Sequence, residues 1–194
     1  VPYPHPFFAT LWERFTRVMP EVGVVVLSDY AKGCLPEHFV KSVIGHCRGL
    51  GVPVLADPKP RSLGQYDGCL AVTPNWREAV DGCLALIHVR GGLPAAFTED
   101  SDPAAYTLAL MVADLLPQTK HVVITRGAYG CTWFDREADK TRHMPATVPY
   151  ALDVTGAGDV FAAGLAAGLL EGSRFGRAVE LANAANLRGV QLHG

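Results

Sequence analysis

Short runs of β-branched residues alternate with longer helical patterns along this chain, and this alternation is the feature that most constrains its fold. The apolar β-branched runs predict buried strands, and apolar residues spaced three or four apart between them predict helices. Strand and helix in alternation favour a mostly parallel β-sheet, because parallel neighbours need a crossover connection that lies on a face of the sheet. The chain is therefore predicted to form a single α/β domain over residues 1–194, with helices on both faces of the sheet.

The boundaries of the elements follow from these periodicities and from the Pro and Gly positions. The predicted strands are Val22–Leu27, Val52–Ala56, Cys69–Val72, His121–Thr125 and a hairpin partner at Thr132–Phe134. The predicted helices are Phe7–Val18, Pro36–Gly49, a short one that opens near Asn75, Pro103–Leu115, Gly158–Glu171 and Phe175–Leu187. Pro36 and Pro103 suit first-turn positions, and Asp102 is the expected N-cap of its helix. The Gly-rich and acidic segment Asp81–Asp102 predicts a loop.

Composition limits the classes of partner. A formal net charge of -2, without blocks of like charge, predicts neither a nucleic-acid partner nor an anionic membrane surface, and no apolar run is long enough to span a bilayer. The five cysteines form no C-x-x-C pair, which favours buried thiols in a reducing cytoplasm over disulfides or a zinc site. Small molecules are the expected partners. The first residue is Val1, which predicts a fragment or a processed chain.

Polar clusters follow the predicted strands at their C-terminal ends. They are Ser28–Gly33, Asp57–Lys59, Thr73–Glu78 and Arg126–Gly130. Open parallel sheets bind ligands in the crevice outside these ends, so the four clusters predict one shared site.

The run Ala151–Phe161 supplies the chemistry that such a site needs. Gly156 and Gly158 lack Cβ atoms, so backbone N–H groups can converge on an anion where the following helix begins. Asp159 beside that anion site suits the removal of a proton from a hydroxyl that attacks a phosphoryl group. The alternative is a helix that is merely capped by Thr155 or Asp159 after a Gly-rich turn.

Two of these motifs resemble a known family. The segments Asp153–Asp159 and Asn75–Glu78 are similar to the C-terminal signature and the Asn-x-x-Glu motif of the ribokinase-like (PfkB) carbohydrate kinases. Four further segments are similar to the members that phosphorylate the C1 hydroxyl of a heptose 7-phosphate, on the route to ADP-heptose and lipopolysaccharide. These segments are Ser28–Gly33, Asp57–Lys59, Thr73–Asn75 and His143–Pro145. The resemblance extends from about Val22 to Ala185.

The resemblance implies an ATP-dependent sugar kinase that uses Mg²⁺. Asp159 would be the catalytic base, and the amides of Gly156, Ala157 and Gly158 would hold the transferring phosphoryl group. Asn75 and Glu78 would orient Mg²⁺ through its water shell, which suits an ion that keeps several waters. For Glu78 the alternative is a solvated first-turn glutamate.

Further residues are implied for the nucleotide and the acceptor. The expected nucleotide contacts are Lys59, Thr125, Gly127, Gly130 and Asn183. Asp29 and Lys32 are the expected substrate contacts. Lys59 would reach a phosphate of either ligand, or is a surface lysine after a proline. A tight turn between two strands is the alternative for Thr125–Gly130, and a helix contact is the alternative for Asn183.

The chain departs from the family pattern at both ends. The family's N-terminal strands, its Gly-Gly stretch that contacts the sugar and its β-lid, which often forms a homodimer contact, have no counterpart here. Asn186–Val190 replaces an expected run of small residues. Three alternatives therefore accompany the heptose-phosphate kinase: a PfkB kinase for ribose, fructose or a similar sugar, a nucleotide-binding remnant without turnover, and, more distantly, a dinucleotide-dependent oxidoreductase.

Overall fold

The sheet is mostly parallel and ends in two antiparallel strands. A computed structural model of the chain describes residues 6–87, 97–146 and 156–191. The strands are β1 (Val25–Ser28), β2 (Val54–Asp57), β3 (Ala71–Val72), β4 (His121–Thr125), β5 (Cys131–Asp135) and β6 (Lys140–Met144). They lie side by side in the order β1-β2-β3-β4-β5-β6. β1 to β4 are parallel, whereas β5 and β6 continue from β4 as antiparallel neighbours.

Helices join and cover the strands. They are α1 (Pro6–Val18), α2 (Glu37–Leu50), α3 (Trp76–Ile87), α4 (Asp102–Leu115), α5 (Ala157–Leu170) and α6 (Phe175–Gln191). Short 3₁₀ turns occupy Met19–Glu21, Pro60–Tyr66 and Gly127–Tyr129. No helix within the described ranges is long and apolar enough to cross a membrane.

Two hydrophobic clusters lie on opposite faces of the sheet, because successive strand residues point to opposite sides. In β2, Val54 and Ala56 join the cluster covered by α2, α3 and α4, while Leu55 points to α5 and α6. In β4, Ile124 and Val123 divide in the same way. Full burial of such aliphatic side chains contributes about 1.5–3 kcal/mol each. The predicted α/β class with helices on both faces is confirmed.

The strands differ from the prediction at their ends and at the edge of the sheet. β1 begins at Val25 rather than Val22, and β3 is limited to Ala71–Val72. β6 was not predicted, because this edge strand is partly exposed and its sequence Lys-Thr-Arg-His-Met has no apolar alternation.

The prediction of a loop over Asp81–Asp102 is wrong at its first end. α3 continues through Ile87, so this helix is not short, and residues 88–96 lie outside the described residues. Ser101 is the N-cap of α4, with its Oγ accepting a hydrogen bond from the Ala104 N–H at 3.4 Å. The prediction of Asp102 as N-cap is therefore wrong. Pro36 occupies the N-cap position of α2 rather than its first turn.

The cysteines are buried with one exception. Cys47, Cys69, Cys83 and Cys131 are buried, and burial raises the pKa of the Cys69 thiol to about 12. Such thiols are packing residues rather than nucleophiles. Cys34 is exposed, so the prediction that all five are buried is wrong for this residue.

Candidate active site

A cleft of about 710 Å³ lies at the C-terminal ends of the parallel strands. It brings together most of the predicted site residues, because the strand ends and the first turns of α3 and α5 meet at one edge of the sheet. The predicted residues that line it are Lys59, Asn75, Glu78, Thr125, Gly127, Gly156, Ala157, Gly158 and Asp159. Gly130, Asn183, Asp29 and Lys32 do not line it.

The N-terminus of α5 forms one wall of the cleft. Gly156 is the N-cap with φ of 77°, a left-handed conformation that favours glycine, and no side chain among the described residues caps the helix. The capping alternative for Asp159 is therefore wrong, and Thr155 lies outside the described residues together with Asp153 and Val154. First-turn amides have no partner within a helix, so those of Ala157 and Gly158 are suited to an anion.

Asp159 stands in the first turn of α5 and accepts two hydrogen bonds from the end of β1. The Ser28 hydroxyl donates to Oδ1 at 3.0 Å, and the Tyr30 hydroxyl donates to Oδ2 at 2.6 Å. This contact raises the pKa of the Tyr30 phenol. Tyr30 lines the cleft, although the sequence indicated it only as part of a motif. The expected base is thus held in place by two hydroxyl groups.

Asn75 and Glu78 form a capping box at the start of α3. The Glu78 N–H donates to Asn75 Oδ1 at 2.9 Å, and Glu78 Oε2 accepts from the Asn75 N–H at 3.0 Å. The other oxygen of Glu78 pairs with Lys59 Nζ. These two side chains are only 14% and 30% exposed, so neither a solvated glutamate nor a surface lysine describes them. Burial favours neutral Lys59, but its bond to Glu78 prevails and raises the pKa of the amine.

Asp57 is a cleft residue that the sequence indicated only within a segment. Its carboxyl is buried at the end of β2, and Oδ2 lies 3.5 Å from the position that a Cβ on Gly158 would take. Burial, followed by the nearby charge of Glu78, raises the pKa of Asp57 to about 7. Glu78 and Asp159 are nearby carboxylates, and Lys59 is the nearby ammonium among the described residues, so negative charge prevails and attracts a further cation to this part of the cleft.

Thr125 and Gly127 line the cleft, whereas Gly130 packs against the backbone of Met144–Ala146. The Thr125 N–H donates to the Pro74 carbonyl at 3.1 Å, which fixes the end of β4 beside Asn75. A Cβ at Gly130 would lie 2.0 Å from the Met144 carbonyl oxygen, so only glycine allows this close approach. Gly130 thus allows the close contact with the segment after β6, whereas a Cβ at Gly127 would meet open space and Gly127 lines the cleft.

Asn183 contacts the same segment, Met144–Ala146, as Gly130 does. Its Nδ2 donates to the Pro145 carbonyl at 2.9 Å and so joins α6 to the segment after β6. This geometry is the helix contact that was the alternative to a nucleotide contact.

The expected substrate residues lie beside the cleft rather than in it. The Asp29 carboxylate turns into the protein, where it accepts hydrogen bonds from the Ala31 N–H, Ser62 and Tyr66. Lys32 is exposed on the loop that follows. The sequence could not distinguish these orientations, because both residues follow β1 within four positions of Ser28.

Arg126 fixes another wall that the sequence did not reveal. This fully buried guanidinium donates to the Glu99 carbonyl oxygen and to Asp102 Oδ1, each at 2.7 Å. It thereby places Glu99 in the cleft lining, where burial raises the pKa of its carboxyl. Trp76 packs against Phe97 as a partly buried residue and also lines the cleft.

The oxygen groups of the cleft fit Mg²⁺ that is held largely by water and phosphate. Within the described part of the chain, no group of three or more His, Cys, Asp or Glu residues could hold a metal ion directly. Glu78 and Asp57 nevertheless place carboxyl oxygens at one wall, and Mg²⁺ commonly uses one or two carboxylates together with substrate phosphates.

The comparison with protein families identifies the family. The model of the pfkB family carbohydrate kinases matches residues 19–187, which is most of the chain. The chain belongs to the pfkB family of carbohydrate kinases. This confirms the resemblance drawn from Asp153–Asp159 and Asn75–Glu78.

Similar proteins and structures agree with this membership. The chain is 40% identical over 163 residues to the bifunctional protein HldE of Methylobacillus flagellatus, covering 84% of this chain and 30% of that protein. It is 35% identical over 177 residues to HldE of Caulobacter vibrioides, covering 91% and 34%. The chain thus spans about a third of the length of these relatives.

Solved structures show the same fold at low sequence identity. An Arabidopsis thaliana ribokinase complexed with ribose and ATP is similar with a TM-score of 0.69 and 22% identity, covering 94% of this chain and 54% of that chain. The tetrameric inhibited form of Escherichia coli phosphofructokinase-2 is similar with a TM-score of 0.72 and 18% identity, covering 95% and 57%. The sheet and helices described above are therefore the ribokinase-like arrangement.

Proposed function

We propose that this chain carries the phosphoryl-transfer site of an ATP-dependent kinase that acts on a sugar or sugar-phosphate hydroxyl. The observation that carries the proposal is that Asp159 and the first-turn residues of α5 line the same cleft as the Lys59–Glu78 pair. Membership of the pfkB family supports it.

The site is suited to this chemistry because phosphoryl transfer depends mainly on positioning and on the neutralisation of charge. The amides of Gly156, Ala157 and Gly158 would hold the transferring phosphoryl group, aided by the positive end of the α5 dipole. Asp159 would accept the proton of the acceptor hydroxyl as its bond to phosphorus forms. Lys59, released from Glu78, would bind a phosphate oxygen of the nucleotide.

Magnesium would neutralise the remaining negative charge of the nucleotide phosphates. Glu78, Asn75 and Asp57 would hold the hydrated ion, which supplies positive charge to the nucleotide phosphates when bound. Thr125 and Gly127 would contact the nucleotide from the facing strand end, where they line the cleft.

A heptose 7-phosphate, phosphorylated at its C1 hydroxyl, is the acceptor that we propose. The support is the likeness of Ser28–Gly33, Asp57–Lys59, Thr73–Asn75 and His143–Pro145 to heptose-phosphate kinases and the similarity to the HldE proteins. Lys32, exposed on the loop beside the cleft, is the cation that we assign to the acceptor's phosphate. We also propose a homodimer, for which the support is the tetrameric form of the similar phosphofructokinase-2. Because the β-lid has no counterpart within residues 1–194, a dimer of this chain would use another contact, and sedimentation measures the assembly.

The test is ADP release from Mg-ATP with D-glycero-β-D-manno-heptose 7-phosphate and a panel of hexoses, pentoses and their phosphates. Asp159→Asn should lower acceptor-dependent release at least about a hundredfold, which is the scale for a positioned base, and should leave the nucleotide Kd unchanged. Asp114→Asn is the matched control, because it removes an exposed carboxylate on α4 that does not line the cleft.

The outcomes separate the alternatives. Release stimulated by ribose or fructose alone would replace heptose phosphate as the acceptor. Nucleotide binding without release for any sugar would favour the remnant without turnover. Equal activity of wild type and Asp159→Asn would remove Asp159 from the role of base.

A further inference from the structure

Tyr30 makes a contact that the proposed roles do not explain. Its side chain is 60% exposed, yet its hydroxyl is directed into the cleft and donates to Asp159 Oδ2 at 2.6 Å. The centroid of its ring lies 6.0 Å from Lys59 Nζ, so the phenol is close to the expected phosphate-binding amine as well as to the expected base. An exposed tyrosine gains little from packing, and its orientation therefore points to a role within the cleft.

The phenol hydroxyl of Tyr30 occupies a position, within hydrogen-bond distance of Asp159, that an attacking hydroxyl or water molecule could otherwise take. A general base acts on a hydroxyl within about 2.6–3.2 Å of its oxygen. Asp159 Oδ1 is already engaged by Ser28 at 3.0 Å, and Oδ2 is engaged by Tyr30. An acceptor hydroxyl or water molecule that uses Asp159 as its base must therefore share an oxygen with Ser28 or Tyr30, or replace one of these donors. Of the two donors, only Tyr30 lines the cleft from which a nucleophile approaches.

We infer that Tyr30 is a specificity-determining residue that shields Asp159 Oδ2 from water until an acceptor hydroxyl displaces the phenol. This inference rests on the proposed kinase function and adds a selection between two nucleophiles. A sugar held by further contacts displaces the phenol, whereas a single water molecule gains too little from the exchange. Tyr30 thus acts through Asp159 as a positioning residue rather than as a base.

The reaction that Tyr30 suppresses is hydrolysis of ATP. In that reaction a water oxygen bonds to the γ-phosphorus, the bond from that phosphorus to the oxygen of ADP breaks, and Asp159 accepts a water proton. Products are ADP and inorganic phosphate, and no further reactant is needed. The hydrolysis requires no acceptor sugar, so the inference is testable before the acceptor is identified.

The experiment measures acceptor-independent ADP release from Mg-ATP by the full chain. Tyr30→Phe keeps the ring but leaves Oδ2 open to water. Release should rise about tenfold, which is less than the roughly hundredfold or more that a positioned base contributes, because Tyr30 limits only the access of water to that base. In Tyr30→Phe/Asp159→Asn the increase should disappear. Tyr106→Phe, which removes a phenol hydroxyl on α4 outside the cleft lining, is the matched control and should show the wild-type rate.

A second measurement tests the contact itself. Ultraviolet titration of the phenols should show one tyrosine whose high pKa is lost in Tyr30→Phe and moves toward the ordinary value in Asp159→Asn. Thermal unfolding verifies that the variants are folded. We expect Tyr30→Phe to be folded because the side chain of Tyr30 is exposed.

The outcomes distinguish the failure of this inference from that of the proposed function. An unchanged hydrolysis rate in Tyr30→Phe with normal Mg-ATP binding, or an increase that persists in the double variant, would overturn the inference alone. An unchanged phenol titration in Asp159→Asn would overturn it as well. Failure of wild type and every variant to bind Mg-ATP would overturn the proposed function, and this inference with it.

Discussion

Two carboxyl groups at the ends of neighbouring strands are almost equally buried but differ in the hydrogen-bond donors around them, and this difference decides whether the pKa of each group is lowered or raised. Asp29 follows β1 and Asp57 ends β2, and they are 6% and 8% exposed. Their backbones are joined by the bond from the Asp29 N–H to the Asp57 carbonyl at 3.1 Å. The two groups nevertheless have pKa shifts of opposite sign.

Hydrogen-bond donors account for the difference. Burial alone favours the neutral form of Asp29, but bonds from Ser62, the Ala31 N–H and Tyr66 outweigh it and lower the pKa of this carboxyl. No hydrogen bond joins the Asp57 carboxyl to another side chain or amide among the described residues, and burial with nearby Glu78 raises its pKa to about 7. Asp29 is thus a structural group, whereas Asp57 remains available to a ligand.

The largest effect should come from removing the carboxylate of Asp29, which accepts several hydrogen bonds. Asp29→Ala leaves the Ala31 N–H and the Tyr66 hydroxyl without their acceptor. The Ser62 hydroxyl keeps the Lys59 carbonyl oxygen as a second acceptor. At about 1–3 kcal/mol for each stranded donor, the free energy of unfolding should fall by roughly 4 kcal/mol. Denaturant unfolding measures it.

Ser62→Ala provides the control for that loss. It removes one of the donors to Asp29 and leaves the others, so the expected loss is about 1 kcal/mol. A loss in Asp29→Ala no larger than that of Ser62→Ala would contradict the structural role and return Asp29 to the candidates for substrate binding.

Asp57→Asn should have the opposite effect on stability. Because the folded state raises the pKa of Asp57 from 3.8 to about 7, the unfolded chain loses this proton first and wild-type stability declines as pH rises through that window. The neutral amide lacks this penalty. Its advantage over wild type should grow between about pH 4 and pH 7, remain constant above, and reach at most about 4 kcal/mol.

Thermal and denaturant unfolding without Mg²⁺ at several pH values test this prediction. The same substitution should weaken the binding of Mg-ATP, since a carboxylate oxygen of the cleft is lost. Asp67→Asn is the control, because Asp67 accepts from Gln118 on the surface at the opposite side of the molecule from the cleft lining. A variant that is less stable than wild type at pH 8 would show that Asp57 is another structural acid.

Contiguous motifs made most of the fold and the cleft predictable. Gly156–Asp159 and Asn75–Glu78 each function within one helical turn, so their sequence spacing already determines their geometry. The contact of Tyr30 with Asp159 joins residues 129 positions apart, and Asp29 depends on Ser62 and Tyr66, which are 33 and 37 positions away. No local pattern contains such pairings.

The same reason explains the residues that proved to lie outside the cleft. Gly130 and Asn183 both depend on the segment Met144–Ala146, which reaches them only because β6 pairs with β5. β6 is a polar edge strand, so its sequence carries no apolar alternation that would have predicted it. A motif therefore located these two residues near the site, but the fold decided what they contact.

The smallest effect should come from Glu78→Gln, which sharpens the comparison by changing one neighbour of Asp57. The amide keeps the capping box with Asn75, so the fold should persist, but the negative charge beside Asp57 is lost. Burial is the larger cause of the raised pKa of Asp57 and Glu78 the next, so the upper limit of its titration window should fall below pH 7 but stay above the ordinary range of a carboxyl group. Comparing Glu78→Gln with Glu78→Gln/Asp57→Asn in pH-dependent unfolding measures that limit.

Glu37→Gln is the matched control, since Glu37 is also a first-turn glutamate paired with a lysine, but it lies exposed on α2. An unchanged limit in Glu78→Gln would mean that burial without hydrogen-bond donors is sufficient to raise the pKa of Asp57, with no contribution from the charge of Glu78.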